Sequence, residues 1–367
     1  MTYYTLVIRG STNQETMGQN ITSTNYTANR LYGRFRQHPL LQRFLVETKF
    51  WHSNMFYQIY QFGVNKYHAM LALELILEVF QKGIGVIEKY PRDIYAVESI
   101  GDMLYRLYGH VFPGTPFSDP GRVNVRETTQ EMVDEIYAEC FNNASSCLVA
   151  RGDLSPPEVE RLVRMKRTPP RPSYPVTRFQ SAYTIRQVVD VVSGVQDEVW
   201  LVFPVRLSPK KLFVLIFMHN VLRRQLGDLV SDVRFADWRF GGAIRIVIKG
   251  SALSKAVTVI EQIKSIRSIG FNPLHLKAIR ASAADYGFLE IGVNIHATDW
   301  ILGISVLEKW PKSPYILVQD VIRESNDKQI LAQWIGQFLD LATVQVIATV
   351  PDITGTDALK LALADIR

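Results

Sequence analysis

The residues whose types and spacing could do chemistry are concentrated between Arg161 and Arg186. This stretch holds Arg161, Arg164, Lys166, Arg167, Arg171, Arg178 and Arg186, no acidic residue, and the rings of Tyr174, Phe179 and Tyr183 between them. Six arginines against one lysine favour planar, two-pronged contacts with carboxylate or phosphate, and stacking on rings, over simple hydration. The pattern predicts docking onto an acidic protein partner within a larger assembly, and phosphates of a nucleic acid would satisfy the same guanidiniums. The plainer reading of the same charge run is a solvated linker whose arginines meet acids of its own chain. A second basic set is expected on a sheet. Arg245 and Lys249 alternate with Ile244, Ile246 and Ile248, and Lys277 and Arg280 fall on the strand expected beside them. The aromatic signature of an RNA-reading sheet is absent from residues 243–249.

Other chemistries leave no trace. Gly250-Ser-Ala-Leu-Ser-Lys255 lacks the glycine and lysine spacing of a phosphate-cradling loop, and Gly83-Ile-Gly85 lacks the third glycine of a dinucleotide fingerprint. The seven histidines are scattered, with no H-E-x-x-H and no Cys/His cluster at zinc spacing, so no metal or other cofactor is expected. Glu74 and Glu78 lie one helical turn apart without the histidines of a di-metal site, and read as a solvated acidic edge. No G-x-S-x-G elbow occurs. Arg151-Gly152-Asp153 reads as a turn ahead of a helix. Cys140 and Cys147, seven apart on an expected helix, are too far apart along its axis to pair and read as small core residues.

These features suit a chain with 47% hydrophobic and 21% charged residues, an ordinary globular composition. The net charge of +6 favours acidic partners of some kind. The longest apolar run, Leu212–Met218, is far short of the ~20 residues that span a bilayer. The first residues carry no basic-then-apolar leader, which points to a cytoplasmic protein. Self-association is left open. The composition thus predicts a non-enzymatic assembly or scaffold subunit first, a nucleic-acid-binding or packaging protein second, and an enzyme with dispersed residues third.

The elements that must position these residues follow from the spacing of apolar side chains. At 367 residues, two domains are expected. Residues 1–160 read as a mainly helical domain with a short N-terminal strand over 3–9, helices through 26–108, and a helix over 126–148. Four prolines between 168 and 175 disfavour helix and central strand, so residues 161–186 read as a basic, proline-rich linker. Residues 187–367 read as an α+β domain. Strand 199–205, a helix from Ser208-Pro209 to Leu226, strands 230–240 and 243–249, a helix capped by Ser251 and a strand at 274–280 follow the βαββαβ order of a ferredoxin-like unit. Further strands are expected at 289–295, 300–307, 315–322 and 344–349, with a helix over 327–342. No repeat is visible in the sequence.

Overall fold

The computed structural model describes residues 1–9, 21–53, 57–83, 85, 102–114, 129–140, 145–165, 183–237, 241–284 and 297–364. In chain order the elements are β1 (Thr2–Arg9), α1 (Ile21–Gln37), α2 (Leu41–Phe44), β2 (Leu45–Ser53), β3 (Tyr57–Val64), α3 (Ala69–Lys82), α4 (Asp102–Val111), α5 (Gln130–Cys140), β4 (Ser146–Arg151) and α6 (Pro156–Met165). There follow β5 (Val188–Ser193), β6 (Glu198–Arg206), α7 (Pro209–Leu226), β7 (Asp232–Asp237), β8 (Gly241–Lys249), α8 (Ala252–Ile269), α9 (Pro273–Ala284), α10 (Ala297–Leu307), α11 (Pro314–Glu324), α12 (Lys328–Phe338), β9 (Gln345–Val350) and α13 (Thr356–Ala364). The chain is a mixed α+β protein with two sheets, ordered β2-β3-β1-β4 and β5-β9-β6-β8-β7.

Each sheet organises one unit. The first comprises Met1–Ser99, Asp119–Phe179 and Thr298–Trp310; the second comprises Ile100–Ser118, Gln180–Ala297 and Pro311–Arg367. In the first, β1 is central and buried on both faces, as its run of aromatic and β-branched residues allows. Tyr4, Leu6 and Ile8 of β1 and Tyr60, Phe62 and Val64 of β3 face one way, and they form a core with Leu31 and Phe35 of α1 and Leu73, Ile76 and Phe80 of α3. Phe35 meets Phe62 edge-on, with ring centroids 4.8 Å apart. On the opposite face Gly303 of α10 lies so close to β1 that a Cβ there would stand 2.5 Å from Val7 Cγ2. Asp299 pairs with Arg151, and Glu308 with Arg9 and Tyr57.

In the second unit α7 is apolar nearly all round, because it packs against β7 and β8 on one side and α9, α11 and α12 on the other. Ser208 Oγ accepts from Lys211 N–H and Pro209 opens the helix, as the sequence indicates. Pro204 is tolerated within β6 because β9 pairs only with Glu198–Val202, leaving Pro204 where β8 alone pairs.

The two units have one topology. β1-α1-β2-β3-α3-β4 and β6-α7-β7-β8-α8-β9 share the βαββαβ order, the strand order 2-3-1-4 and antiparallel pairing throughout. The fourth strand of the second unit is thus β9, far along the chain from the expected 274–280.

Several expectations are corrected. The N-terminal half holds more than one short strand: β2, β3 and β4 join β1 in a four-stranded sheet. Buried glutamines hid β3, since Gln58 and Gln61 are enclosed where an alternating pattern would have shown them exposed. The helix of 126–148 stops at Cys140, and Ser146–Arg151 is a strand. Residues 274–280, 300–307 and 315–322 are helical, in α9, α10 and α11. Their start signals are local: Asn272 Oδ1 accepts from Leu274 N–H beside Pro273, and Ser313 Oγ accepts from Ile316 N–H beside Pro314. Ser251 does not cap α8; the Asp197 carboxylate accepts from Ala252 N–H instead. The strand expected at 289–295 lies outside the described residues.

A candidate polypeptide groove beside an open sheet edge

In the first unit β4 is the last strand of its sheet, and among the described residues nothing pairs with its outer edge. Its side chains alternate. Ser146, Leu148 and Ala150 share the face of Leu6, while Cys147, Val149 and Arg151 share that of Val7. Next to the first set lies a cleft of about 710 Å³, floored by Leu6, Leu148 and Ala150 and walled by Leu77 and Phe80 of α3 and Val159 and Val163 of α6. At its rim Arg164 pairs with Glu160 one turn back on α6. Helix α6 packs only in part against the core: Val159, Leu162 and Val163 are half-buried there, and Glu158, Glu160, Arg161 and Arg164 are exposed. An apolar cleft running beside a sheet edge that carries no further strand among the described residues has the two features that extended peptides bind to.

The corresponding places in the second unit are filled. β9 occupies the position of β4, and its outer edge carries β5 in parallel, from Val188 opposite Gln345 to Ser193 opposite Val350. Helix α13, the counterpart of α6, buries Leu359, Ala362 and Leu363 and packs against α8.

One cluster of titratable groups lies in the second unit. Arg106 of α4 donates from Nε to Asp190 Oδ2 (3.0 Å) and from Nη2 to Asp190 Oδ1 (2.6 Å), and its Nη1 donates to Ala348 O (3.0 Å) and Thr349 Oγ1 (3.2 Å). His110 Nε2 is 2.9 Å from Asp190 Oδ2. Burial alone would raise the Asp190 carboxyl, but the bonds from Arg106 and His110 prevail and hold it below the usual carboxylate range. These groups are spent on one another and on β5 and β9. The cluster fastens α4 to that sheet.

Among the described residues, the sequence-predicted site residues are spread over α6, the approach to β5, β8 and α9. Arg161 and Arg164 are exposed on α6, and Arg186 is exposed ahead of β5. Lys166, Arg167, Arg171, Tyr174, Arg178 and Phe179 lie outside the described residues. Tyr183 is buried, with its hydroxyl 2.8 Å from Gly242 O and 3.1 Å from Val205 O, and fills the space left by Gly241. The expected basic sheet face does not form, because Lys277 and Arg280 belong to helix α9. Lys277 is exposed there, and Arg280 Nε donates to Ser325 Oγ. Arg245 stacks on Trp200 with 4.3 Å from its guanidinium carbon to the ring centroid, and Lys249 pairs with Glu198. Glu74 is exposed and Glu78 pairs with Lys82, as a solvated edge would. Cys147 faces away from the cleft, and burial pushes its thiol up to about 11. Sequence reasoning missed the groove because Ser146–Arg151 continues the apolar run of α5. Its only local signal is the short Cys-Leu-Val-Ala stretch before Arg151-Gly152, where Gly152 takes φ +148 against Thr2.

For metal chemistry the chain offers neither H-E-x-x-H nor the inverted H-x-x-E-H, the two helix-borne spacings that hold zinc in metallopeptidases. Among the described residues no three His, Cys, Asp or Glu side chains converge. None of the described helices is long and apolar enough to cross a membrane.

No protein-family model matches the sequence, and no curated protein matches it. Solved structures do. The chain superposes on the periplasmic protease PqqL from Escherichia coli (TM-score 0.64, 12% identity) over 99% of its own length and 47% of that protein, so it spans about half of PqqL. It superposes on a chain of complex III2 from Candida albicans (TM-score 0.70, 12% identity; 99% of this chain, 94% of that one). It also superposes on a peptidase M16 inactive domain from Pseudomonas fluorescens (TM-score 0.62, 13% identity; 95% and 92%). These likenesses overturn the reading of the chain as a scaffold or nucleic-acid-binding protein built around a basic arm. At 12–13% identity they establish its fold, which is that of M16-type peptidase domains.

Proposed function

We propose that this chain is a peptidase-fold module that holds a polypeptide in extended form along the outer edge of β4, with alternate side chains in the apolar cleft. The observation that carries the reading is internal to the molecule: the matching edge of the second unit, β9, already carries a strand, the chain's own β5. By that example the bound segment is about six residues long, rich in β-branched residues and parallel to β4. Backbone hydrogen bonds supply affinity that is indifferent to sequence, and the cleft selects an apolar residue at every second position. The fold likeness to PqqL and to the M16 inactive domain supports a polypeptide as ligand. Because the sequence lacks both zinc-peptidase spacings, the module's own contribution is to capture and align the peptide.

A fluorescein-labelled Val-Val-Asp-Val-Val-Ser peptide, a copy of β5, is a suitable probe. Saturable binding is expected, weakened at least tenfold by Val159→Asp, which sets an unpaired charge in the cleft at a half-buried position. A peptide with proline at its third position should bind poorly, since it loses a ladder donor. Equal binding to wild type and Val159→Asp, or equal binding of the proline peptide, would refute the groove.

A further inference from the structure

Each unit is completed by one helix from the other half of the chain. After α3 the chain contributes residues 100–118 to the second unit and returns to the first at residue 119; after α9 it contributes residues 298–310 to the first unit and returns to the second at residue 311. The two guests occupy matching places. α4 and α10 both lie in the long connection between the second helix and the fourth strand of the repeat, and each fastens to that fourth strand. Arg106 of α4 bonds Ala348 and Thr349 of β9, and Asp299 of α10 bonds Arg151 of β4. Each guest is also held elsewhere in its unit. α4 buries Met103, Leu107 and Val111 and meets Asp190 of β5. α10 seats Gly303 on Val7, and just beyond it Glu308 receives Arg9 and Tyr57.

We infer that the two halves of the chain are interlocked by this reciprocal exchange of α4 and α10, so that they stay associated as one folded body even when the backbone joining them is cut. The lock needs no covalent link. Residues 1–195 contain α4 and β5, which build the second unit's sheet face and edge, and residues 196–367 contain α10, which covers the first unit's sheet. Separating the pieces would strip an apolar face from both sheets at once, take Arg106 from Ala348 and Thr349, and leave Asp299 and Glu308 without Arg151, Arg9 and Tyr57.

The turn joining β5 to β6 provides the place to cut, because Val195 is fully exposed. In the full chain, a specific protease recognition sequence flanked by Gly-Ser is inserted between Val195 and Gln196, and the folded protein is cleaved. The two pieces are expected to co-elute at the volume of the uncut protein and to part only in denaturant. The doubly substituted nicked protein, Arg106→Ala with Gly303→Val, should part at a lower denaturant concentration. Separate peaks without denaturant, or an unchanged parting concentration in the double variant, would overturn the interlock. Native-state hydrogen exchange on the unmodified chain gives a second reading that no insertion can disturb. Opening of α4 should follow β9 across sub-denaturing urea, and opening of α10 should follow β1. If α4 follows α3 instead, or α10 follows α9, the inference fails.

Discussion

The two units share a topology yet treat its most exposed feature in opposite ways. In the second unit the outer edge of the fourth strand is closed by β5, and α13 is seated on α8 with its apolar residues buried. In the first unit the matching edge of β4 carries no strand among the described residues, and α6, packed only in part against the core, leaves a cleft of about 710 Å³. A sheet edge without a neighbouring strand beside an apolar cleft invites another strand, and proteins ordinarily blunt such edges. Here the same fold shows the blunted form and the open form in one chain. The lesson is that one topology, used twice in a chain, can have the edge of its fourth strand covered in one copy and not in the other.

The guest helices repeat the contrast. α4 is held by a half-buried, many-bonded arginine and carboxylate, whereas α10 is held mainly by close packing at a glycine. Replacing the first kind of anchor should cost most. Arg106→Ala removes one of the two partners of Asp190, leaving His110, together with the bonds to Ala348 and Thr349, and is expected to destabilise the second unit by about 3 kcal/mol, the upper range for hydrogen bonds to charged groups. Urea unfolding followed by the fluorescence of Trp200 and Trp334 checks this, and a loss under about 1 kcal/mol would show α4 to be held by its apolar face alone. Next comes Gly303→Val. Its Cβ would meet Val7 Cγ2 at 2.5 Å, and Val7 is β-branched and cannot turn away, so roughly 1–3 kcal/mol is expected from overpacking. A neutral result would mean that α10 sits less tightly on β1 than the distances say.

A smaller effect of opposite sign is expected at the start of α8. Ser251 follows Gly250 in left-handed backbone with φ 52, and its side chain makes no cap bond. Ser251→Gly should stabilise the second unit by up to about 1 kcal/mol by relieving that conformation. Loss of stability instead would show that Ser251 has a partner worth more than the strain.

The smallest effect is also the sharpest test of the contrast, since the two anchors respond to pH in opposite directions. Asp190 titrates below its unfolded value, so its contribution is complete above about pH 3.9 and is lost as pH falls through the folded value. Burial raises Asp299 despite Arg151 beside it, so its contribution is complete below about pH 3.9 and is lost as pH rises through the folded value. Between about pH 5 and pH 3, hydrogen-exchange protection of α4 should fall relative to that of α10. Parallel changes in the two helices would remove the electrostatic half of the comparison.

What could be read from the sequence was whatever local physics controls. β1, β6 and β9 announce themselves by runs of aromatic and β-branched residues. α7 and α12 announce themselves by Ser208-Pro209 and Asp327 at their starts and apolar spacing behind. The first five elements of the βαββαβ order in the second half were visible for the same reason, whereas its last strand, expected at 274–280, is β9. Three kinds of feature were not. Gln58 and Gln61 sit enclosed in β3, so polarity along that strand says nothing of which face is exposed. Apolar runs such as 300–307 and 315–322 suit strand and helix alike, so their apolar pattern alone did not mark α10 and α11 as helices. Tyr183, grouped by the sequence with a solvent-facing basic arm, is buried because Gly241 leaves room for its ring. The duplication, the exchange of α4 and α10, and the open edge of β4 were decided by tertiary structure alone. Each depends on which strand finds which neighbour across a hundred residues or more, and strand pairing leaves the identity of the partner unwritten in either strand.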